Sequence, residues 1–415
     1  MTDVRIFDGW LADGGPAALV MREYLEPVEG PDGVFFPATY AAAEEKQKFP
    51  GGYNIDVFPE PQQLKDSVPL RIDFYPTSAN TCLVDSVGAQ ANRIEPIFGS
   101  AKYSHLIPQI TIKVGERNVS LLHAGHRAAD AIVRFSKAGE QTWVAFNDLM
   151  RYGDAAAMAK IAPTSLLFGV WDSRGTQTKV PRIFRSVIRA ENVRRLTRSA
   201  QFNRAVKFVE EGVIDEALDV GDGDKNPLSR EGFKDNPATA SHGGVIATGN
   251  IYRDVTVNLV AIRRLRATNS AREFDPFATQ ALRRYLLGLA LVAGTAISDD
   301  MYDLREGCQL RQKPATTTTW RAVPHRGPEQ SLPELTADLA AEFATESAKA
   351  FGVGNSGEYE FDKKLAEKWL SLKKEDQDKL RREGAITDQL IATPESETLS
   401  EGGASQPAKK GKSKR

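Results

Sequence analysis

The residues most able to do chemistry here are arginines. Between Ser173 and Arg204 the chain carries Arg174, Lys179, Arg182, Arg185, Arg189, Arg194, Arg195, Arg198 and Arg204, against Glu191 as the one acid. The whole 415-residue chain has a formal net charge of -1, so this is a local excess of one sign. Trp171 and Phe184 are interleaved with it. Guanidinium groups fork onto phosphate oxygens and aromatic rings stack on bases, and together they mark a nucleic-acid surface. The competing explanation is a solvated basic face paired to acids elsewhere, such as those of residues 215–224. The spacing of Arg182, Arg185 and Arg189 suits phosphate contact, which needs no base readout.

Other candidate chemistry is weaker. His123 and His126 form a His-x-x-His pair, but no third ligand is evident nearby and the two rings can face different sides. Asp299, Asp300 and Asp303 could in principle hold Mg²⁺, yet they follow a helix C-terminus, where the dipole disfavours negative charge. Asp219, Asp222 and Asp224 lack the order of acids and glycine of an EF-hand. Neither a phosphate-binding loop nor a dinucleotide fingerprint occurs. We therefore expect no cofactor, no metal and no catalytic group. Two cysteines, Cys82 and Cys308, exclude a disulfide framework and a Cys-rich zinc site, and fit a reducing cytosol. The N-terminus has no secretory pattern. The most apolar run, Tyr285–Ile297, is too short to span a membrane and reads as a buried helix. A cytoplasmic protein without membrane contact is expected.

The elements that must position the arginines follow from periodicity. Apolar residues make up 41% and charged residues 26% of the chain, enough for a sizeable core in one large or two medium domains. Leu25–Tyr40 reads as turn-rich, with at most an edge strand, because Pro27, Pro31 and Pro37 oppose a central one. Leu70–Tyr75 alternates as a short strand. Asn80–Glu95 reads as a helix capped by Asn80 or Thr81, with Gln90, Asn92 and Arg93 on its polar face. Further expectations are a strand over Ile107–Val114, a helix over Leu121–Phe135, a strand over Thr142–Asn147 and a helix over Asp148–Ile161. Pro181–Val193 fits either periodicity, and its β-branched content favours a strand. Residues 210–244, rich in Gly and Asp, read as an extended insertion. Val255–Leu265 reads as a strand, and Asp275-Pro276 starts a helix running to about Ala296. Helical patterns return over Leu332–Phe351 and Glu360–Glu383. A disordered basic tail is expected beyond 392.

Four of these stretches also carry a resemblance: Thr81–Pro96, His126–Ala131, Leu167–Gln177 and Pro181–Ala190. As a set they resemble the CRISPR-associated RAMP protein of the Csb type, the backbone subunit of type I-G (formerly I-U) Cascade, over roughly residues 20–315. The resemblance implies an α+β fold: an RRM-like (ferredoxin-like) antiparallel-sheet palm with helical and thumb-like insertions. On that basis the domains would be a backbone domain over 1–330 with a candidate thumb at 210–244, a helical extension over 331–392 and the tail over 393–415. The resemblance further implies a non-catalytic subunit that binds CRISPR guide RNA and self-associates in a helical backbone along it. Target DNA and other Cascade subunits would be its further partners. The RNA-binding candidates are then Arg174, Lys179, Arg182, Arg185 and Arg189, followed by Gln90, Asn92 and Arg93, then His126 and Arg127. Trp171 would pack either on a base or a ribose, or in the core. The RRM stacking motif, Lys/Arg-Gly-Phe, is not visible, so a phosphate-led grip is expected. A metal-dependent RNA-cutting subunit of type III-like character is the alternative, with Asp172, or Asp222 and Asp224, as its acids.

Overall fold

The computed structural model describes residues 3–44, 51–58, 79–296, 301–387 and 391. The expected segments Leu70–Tyr75 and 393–415 lie outside them, as do Asp299 and Asp300.

The architecture is mixed α+β, built on a curled antiparallel sheet with helices against one face. Its centre is made of β1 (Ala18–Pro27), β2 (Asn80–Asp85) and β3 (Phe184–Glu191). After β3 the chain forms β4 (Val193–Phe202) and β5 (Asn236–Ala247), which lie outside this sheet, and then the further central strand β6 (Ile251–Asn258). Across the sheet the order is 303–305, 308–312, β1, β6, β3, β2 and 55–57, with 320–323 also pairing with β1. The register sets Leu19 opposite Val257 and Phe184 opposite Val257 from the other side, so one face gathers Leu19, Met21, Val255, Val257 and Phe184. All five are buried. Strand alternation places the intervening residues on the other face.

The long helix Pro276–Thr295 (α3) covers the apolar face. It begins as expected: Asp275 accepts hydrogen bonds from the backbone N–H groups of Phe277 and Ala278, and Pro276 occupies the first turn. Residues Tyr285–Gly294 are buried almost without interruption, as a helix hydrophobic all round must be. The helix Ala337–Phe351 (α4) lies against it so closely that a Cβ on Gly288 would sit 2.8 Å from Ala344 Cα. Phe343 and Ala344 belong to the same core as Phe184 and Val257, so that core continues past residue 330. The strand Gly357–Glu360 pairs in parallel with Ile110–Val114, carrying the chain further into the body.

Several sequence-based expectations need correction. The stretch Asn80–Glu95 is not one helix. Cys82 and Val84 pack inward as part of β2, and only Val87–Ile94 (α1) is helical. Its cap is Ser86, whose Oγ accepts from Ala89 N at 3.2 Å, not Asn80 or Thr81. Leu121–Phe135 breaks into 3₁₀ turns at Leu121–His123 and Arg127–Ala129 and a short helix at Ala131–Arg134 capped by Asp130. Thr142–Asn147 is not a strand but lies inside the helix Ala138–Tyr152 (α2), whose tertiary packing overrides local propensity. The strand expected over Val255–Leu265 stops at Asn258, which caps a helix over Leu259–Arg264 by accepting from Ala261 N. β1 is central, because its one proline is its last residue and the N–H groups before it are free to pair on both sides. The strand over Phe184–Glu191 and the buried helix around Tyr285 form as expected.

Beyond the sheet, β4 and β5 form a separate two-stranded ribbon. It starts at Asn192, whose φ of +52° turns the chain out of β3; asparagine tolerates this left-handed conformation better than most residues. Asn80 Oδ1 accepts from Val193 N at 2.8 Å and fixes the corner. The expected insertion at 210–244 is thus the outer part of a longer ribbon spanning Val193–Ala247.

Candidate nucleic-acid interface

Among the described residues, the face of the sheet opposite α3 has no helix on it and carries most of the sheet's charge. Along β3, Arg185 and Arg189 project there, two pleats apart, opposite Thr256 and Tyr252 of β6. Along β1, Val20, Arg22 and Tyr24 stand opposite Thr256, Asp254 and Tyr252. Arg321 sits opposite Val20 on the next strand. Val20, Arg22, Tyr24, Arg185, Asp254, Thr256 and Arg321 line a trough of ≈ 610 Å³ with Thr317 and Thr319 on its rim, and Arg189 and Tyr252 lie outside that lining.

Within the trough, Arg22 forms a two-pronged pair with Asp254, Nε–Oδ1 2.7 Å and Nη2–Oδ2 2.9 Å. Its guanidinium also lies 4.1 Å from the centroid of the Tyr252 ring. The Asp254 hydrogen bond, the dominant cause, holds the Arg22 pKa above its ordinary value. Burial raises the Tyr252 pKa, so its hydroxyl stays protonated. Arg185 and Arg189 make no ion pair or side-chain hydrogen bond among the described residues. Two unpaired guanidiniums beside the half-buried Tyr24 form a surface able to take phosphates and stack a base, whereas Tyr252 is only 8% exposed and lies under Arg22. The paired tyrosines were not legible in the sequence: Tyr24 and Tyr252 lie 228 positions apart and meet only through the β1–β6 register.

A second group of the expected residues gathers on a hairpin leading into β3. Val170–Trp171 pairs with Lys179–Val180. Trp171 is 56% exposed and Lys179 Nζ lies 5.6 Å from its ring centroid, so Trp171 is not a core residue. The preceding Leu166–Phe168 is fully buried and anchors the hairpin. Arg174 and Arg182 are exposed, the latter against Gly169, whose φ of +82° leaves no room for a Cβ beside Arg182 Cγ.

Three expected contacts are placed elsewhere. Gln90 is fully buried: its Nε2 donates to Asp85 Oδ2 at 2.7 Å and its Oε1 accepts from Ser186 Oγ at 2.8 Å. Gln90 therefore faces the sheet and is unavailable to a ligand. Arg93 is partly buried, bonding Asp85 and the Leu304 carbonyl. Desolvation pushes the Asp85 pKa up, against the opposing bond from Gln90 and the Arg93 charge. Arg127 is also buried, paired with Glu95 at 2.8 Å and donating to the Gly169 carbonyl at 3.2 Å. It clamps the hairpin from below, and its site is one a sequence pattern cannot tell from a surface arginine. Asn92 and His126 are exposed, and His126 Nδ1 stands 3.6 Å from Asp130.

The acids of the alternative reading are equally specific in placement. Asp172 is 3% exposed, and its Oδ2 accepts from Thr176 N at 2.6 Å and Thr176 Oγ1 at 3.0 Å, closing the hairpin turn. Asp222 is exposed at the ribbon's outer end. Among the described residues no group of three His, Cys, Asp or Glu side chains is arranged to hold a metal ion. Among the described residues no helix is long and apolar enough to cross a membrane.

Residues 19–195, less than half of the chain, match the family described as CRISPR-associated protein GSU0053. No curated protein matches the chain. The matched segment holds β1, β2, β3 and the hairpin, and so most of the interface just described. The chain is thereby similar to a CRISPR-associated family.

Proposed function

We propose that this CRISPR-associated chain is an RNA-binding backbone subunit of a type I Cascade complex, repeated along one guide RNA. In this proposal the sheet with its covering helices is an RRM-like palm and the Val193–Ala247 ribbon is the thumb. The observation that carries it is the pair of unpaired arginines, Arg185 and Arg189, beside Tyr24 on a sheet face that carries no helix among the described residues. A subunit repeated along a guide must ignore guide sequence, and phosphate contacts supply that indifference. Exposed Trp171, Lys179, Arg174 and Arg182 would continue the phosphate track from the sheet onto the hairpin. Target DNA would then be met as the partner of the bound guide, with neighbouring copies and other subunits completing the assembly. The subunit holds and orders the strand; it does not cut it.

The test is the nucleic acid that travels with the protein. Purified protein should carry RNA of uniform length, seen by end-labelling. The double variant Arg185→Glu, Arg189→Glu should lose that RNA while keeping its unfolding midpoint. Binding of added RNA should weaken steeply with salt and alike for unrelated sequences. Retention of RNA by the folded double variant, or binding insensitive to salt, would overturn the proposal. Cleavage of guide-paired RNA in Mg²⁺, lost in Asp222→Ala, would favour the cutting subunit instead.

A further inference from the structure

The most exposed aromatic side chain among the described residues is not on the sheet. Phe277 is 88% exposed, Phe274 55% and Tyr152 42%. They come from two regions that meet: Tyr152 from the C-terminal end of α2, and Phe274 and Phe277 from the loop before α3 and its first turn. The contact is fixed by several bonds. Residues Asp154 and Arg266 form an isolated β-bridge, and Thr268 bridges Phe274 across the loop. Asp154 Oδ2 accepts from Thr268 Oγ1 at 2.5 Å. Arg266 lies against Gly153, whose φ of +66° ends α2. Arg272 packs its guanidinium 5.0 Å from the Tyr152 ring centroid and reaches Asp148 at 2.8 Å.

The charges around these rings leave a positive excess. Asp148 is engaged by Arg272, Asp154 by Thr268 and Ala156 N, and Asp275 by the first turn of α3. Arg151 and Arg266 are exposed and have no ion-pair partner among the described residues. Glu273 is the one exposed acid between Arg264 and Phe277. Phe274 and Phe277 project outward beside Tyr152, which holds Arg272 on its ring, and Phe277, 88% exposed, costs hydration without a packing role.

We propose that this patch binds a single strand of nucleic acid, separate from the strand on the open sheet face. Its bases would stack on Phe277, Phe274 and Tyr152, and Arg266 and Arg151 would take its phosphates. Ring stacking reads neither sequence nor the 2′-hydroxyl, so DNA and RNA strands should bind alike. The surplus positive charge selects a polyanion over a neutral protein surface. The proposal does not need the sheet face to be a guide site, since none of its residues lies on β1, β3 or β6.

The experiment uses the full chain as purified, with fluorescent oligo(dT) and oligo(U) as probes. Ultraviolet cross-linking and peptide mass spectrometry should place adducts at Phe274, Phe277 or Tyr152 with both probes. Phe274→Ala with Phe277→Ala should weaken binding of the probes roughly ten-fold or more, without moving the unfolding midpoint. Arg185→Glu with Arg189→Glu, which disables the sheet face, should leave those adducts in place. Adducts confined to Tyr24 or Tyr252, or unchanged affinity in the Phe274/Phe277 variant, would overturn the patch while leaving the sheet-face proposal standing. So would a variant that keeps its affinity but changes its sedimentation, since the rings would then be a protein contact.

Discussion

Two arginine–carboxylate pairs sit one residue apart on the same two strands and do opposite things. Arg22 pairs with Asp254 on the open face, with side-chain exposures of 42% and 30%. Glu23 pairs with Arg253 on the covered face, with exposures of 7% and 3%. The composition is the same and the register is the same; only the pleat differs. In the interior, Tyr302 Oη donates to Glu23 at 2.5 Å and Arg253 reaches the Gly294 carbonyl at 3.3 Å. That pair spends its hydrogen bonds on fastening the sheet to α3 and the segment near residue 302. On the open face, water competes with the pair, and the guanidinium remains within reach of a ligand. Charge is therefore a structural fastening on one side of this sheet and a binding resource on the other.

The sharpest way to break this comparison is to remove one partner from each pair. Glu23→Ala strands the buried Arg253 charge and should cost about 3–5 kcal/mol of stability, read by chemical denaturation. A loss under about 1 kcal/mol would show the covered pair to be as dispensable as a surface one. On the other side, Tyr24→Ala should weaken RNA binding about ten-fold through loss of a stacking platform, with little change in unfolding. Tyr252→Phe should bind normally, because the ring that supports Arg22 is kept and the hydroxyl is not needed; titration across salt would expose a mistake in either. Arg22→Ala should change stability by no more than about 1 kcal/mol and lower the slope of log affinity against log salt by about 0.7, the share of one phosphate contact. The smallest effect concerns the cysteines of the covered side. Burial pushes the Cys82 and Cys308 thiols up to about 12. At pH 8 native protein should take up almost no iodoacetamide, whereas denatured protein should label at both positions. Rapid labelling of native protein would mean the covered side opens.

Legibility in the sequence followed the range of the interactions involved. The basic stretch, the strand at Phe184–Glu191 and the capped helix beginning at Asp275-Pro276 are local patterns and could be read directly. The helix mistaken over Asn80–Asp85 failed because Leu83 and Val87 happen to satisfy helical spacing, while Cys82 and Val84 are drawn inward by pairing with β3. Gln90 and Arg127 looked like surface polar groups because polarity alone does not show which side a core lies on. Their partners, Ser186 and Glu95, are distant in sequence and bury them.

By itself the sequence determined where positive charge accumulates, since charge is a property of residue type and survives any folding. It also determined that Leu166–Phe168 must go inside, because no surface arrangement suits that run. Tertiary structure alone decided which arginines remain free. Arg185 and Arg189 share a face because successive side chains of a strand alternate, and Arg127 is lost to the interior because a turn with φ of +51° folds it under the hairpin. The tyrosine pair, too, exists only because β1 and β6, far apart in the chain, lie antiparallel in one register.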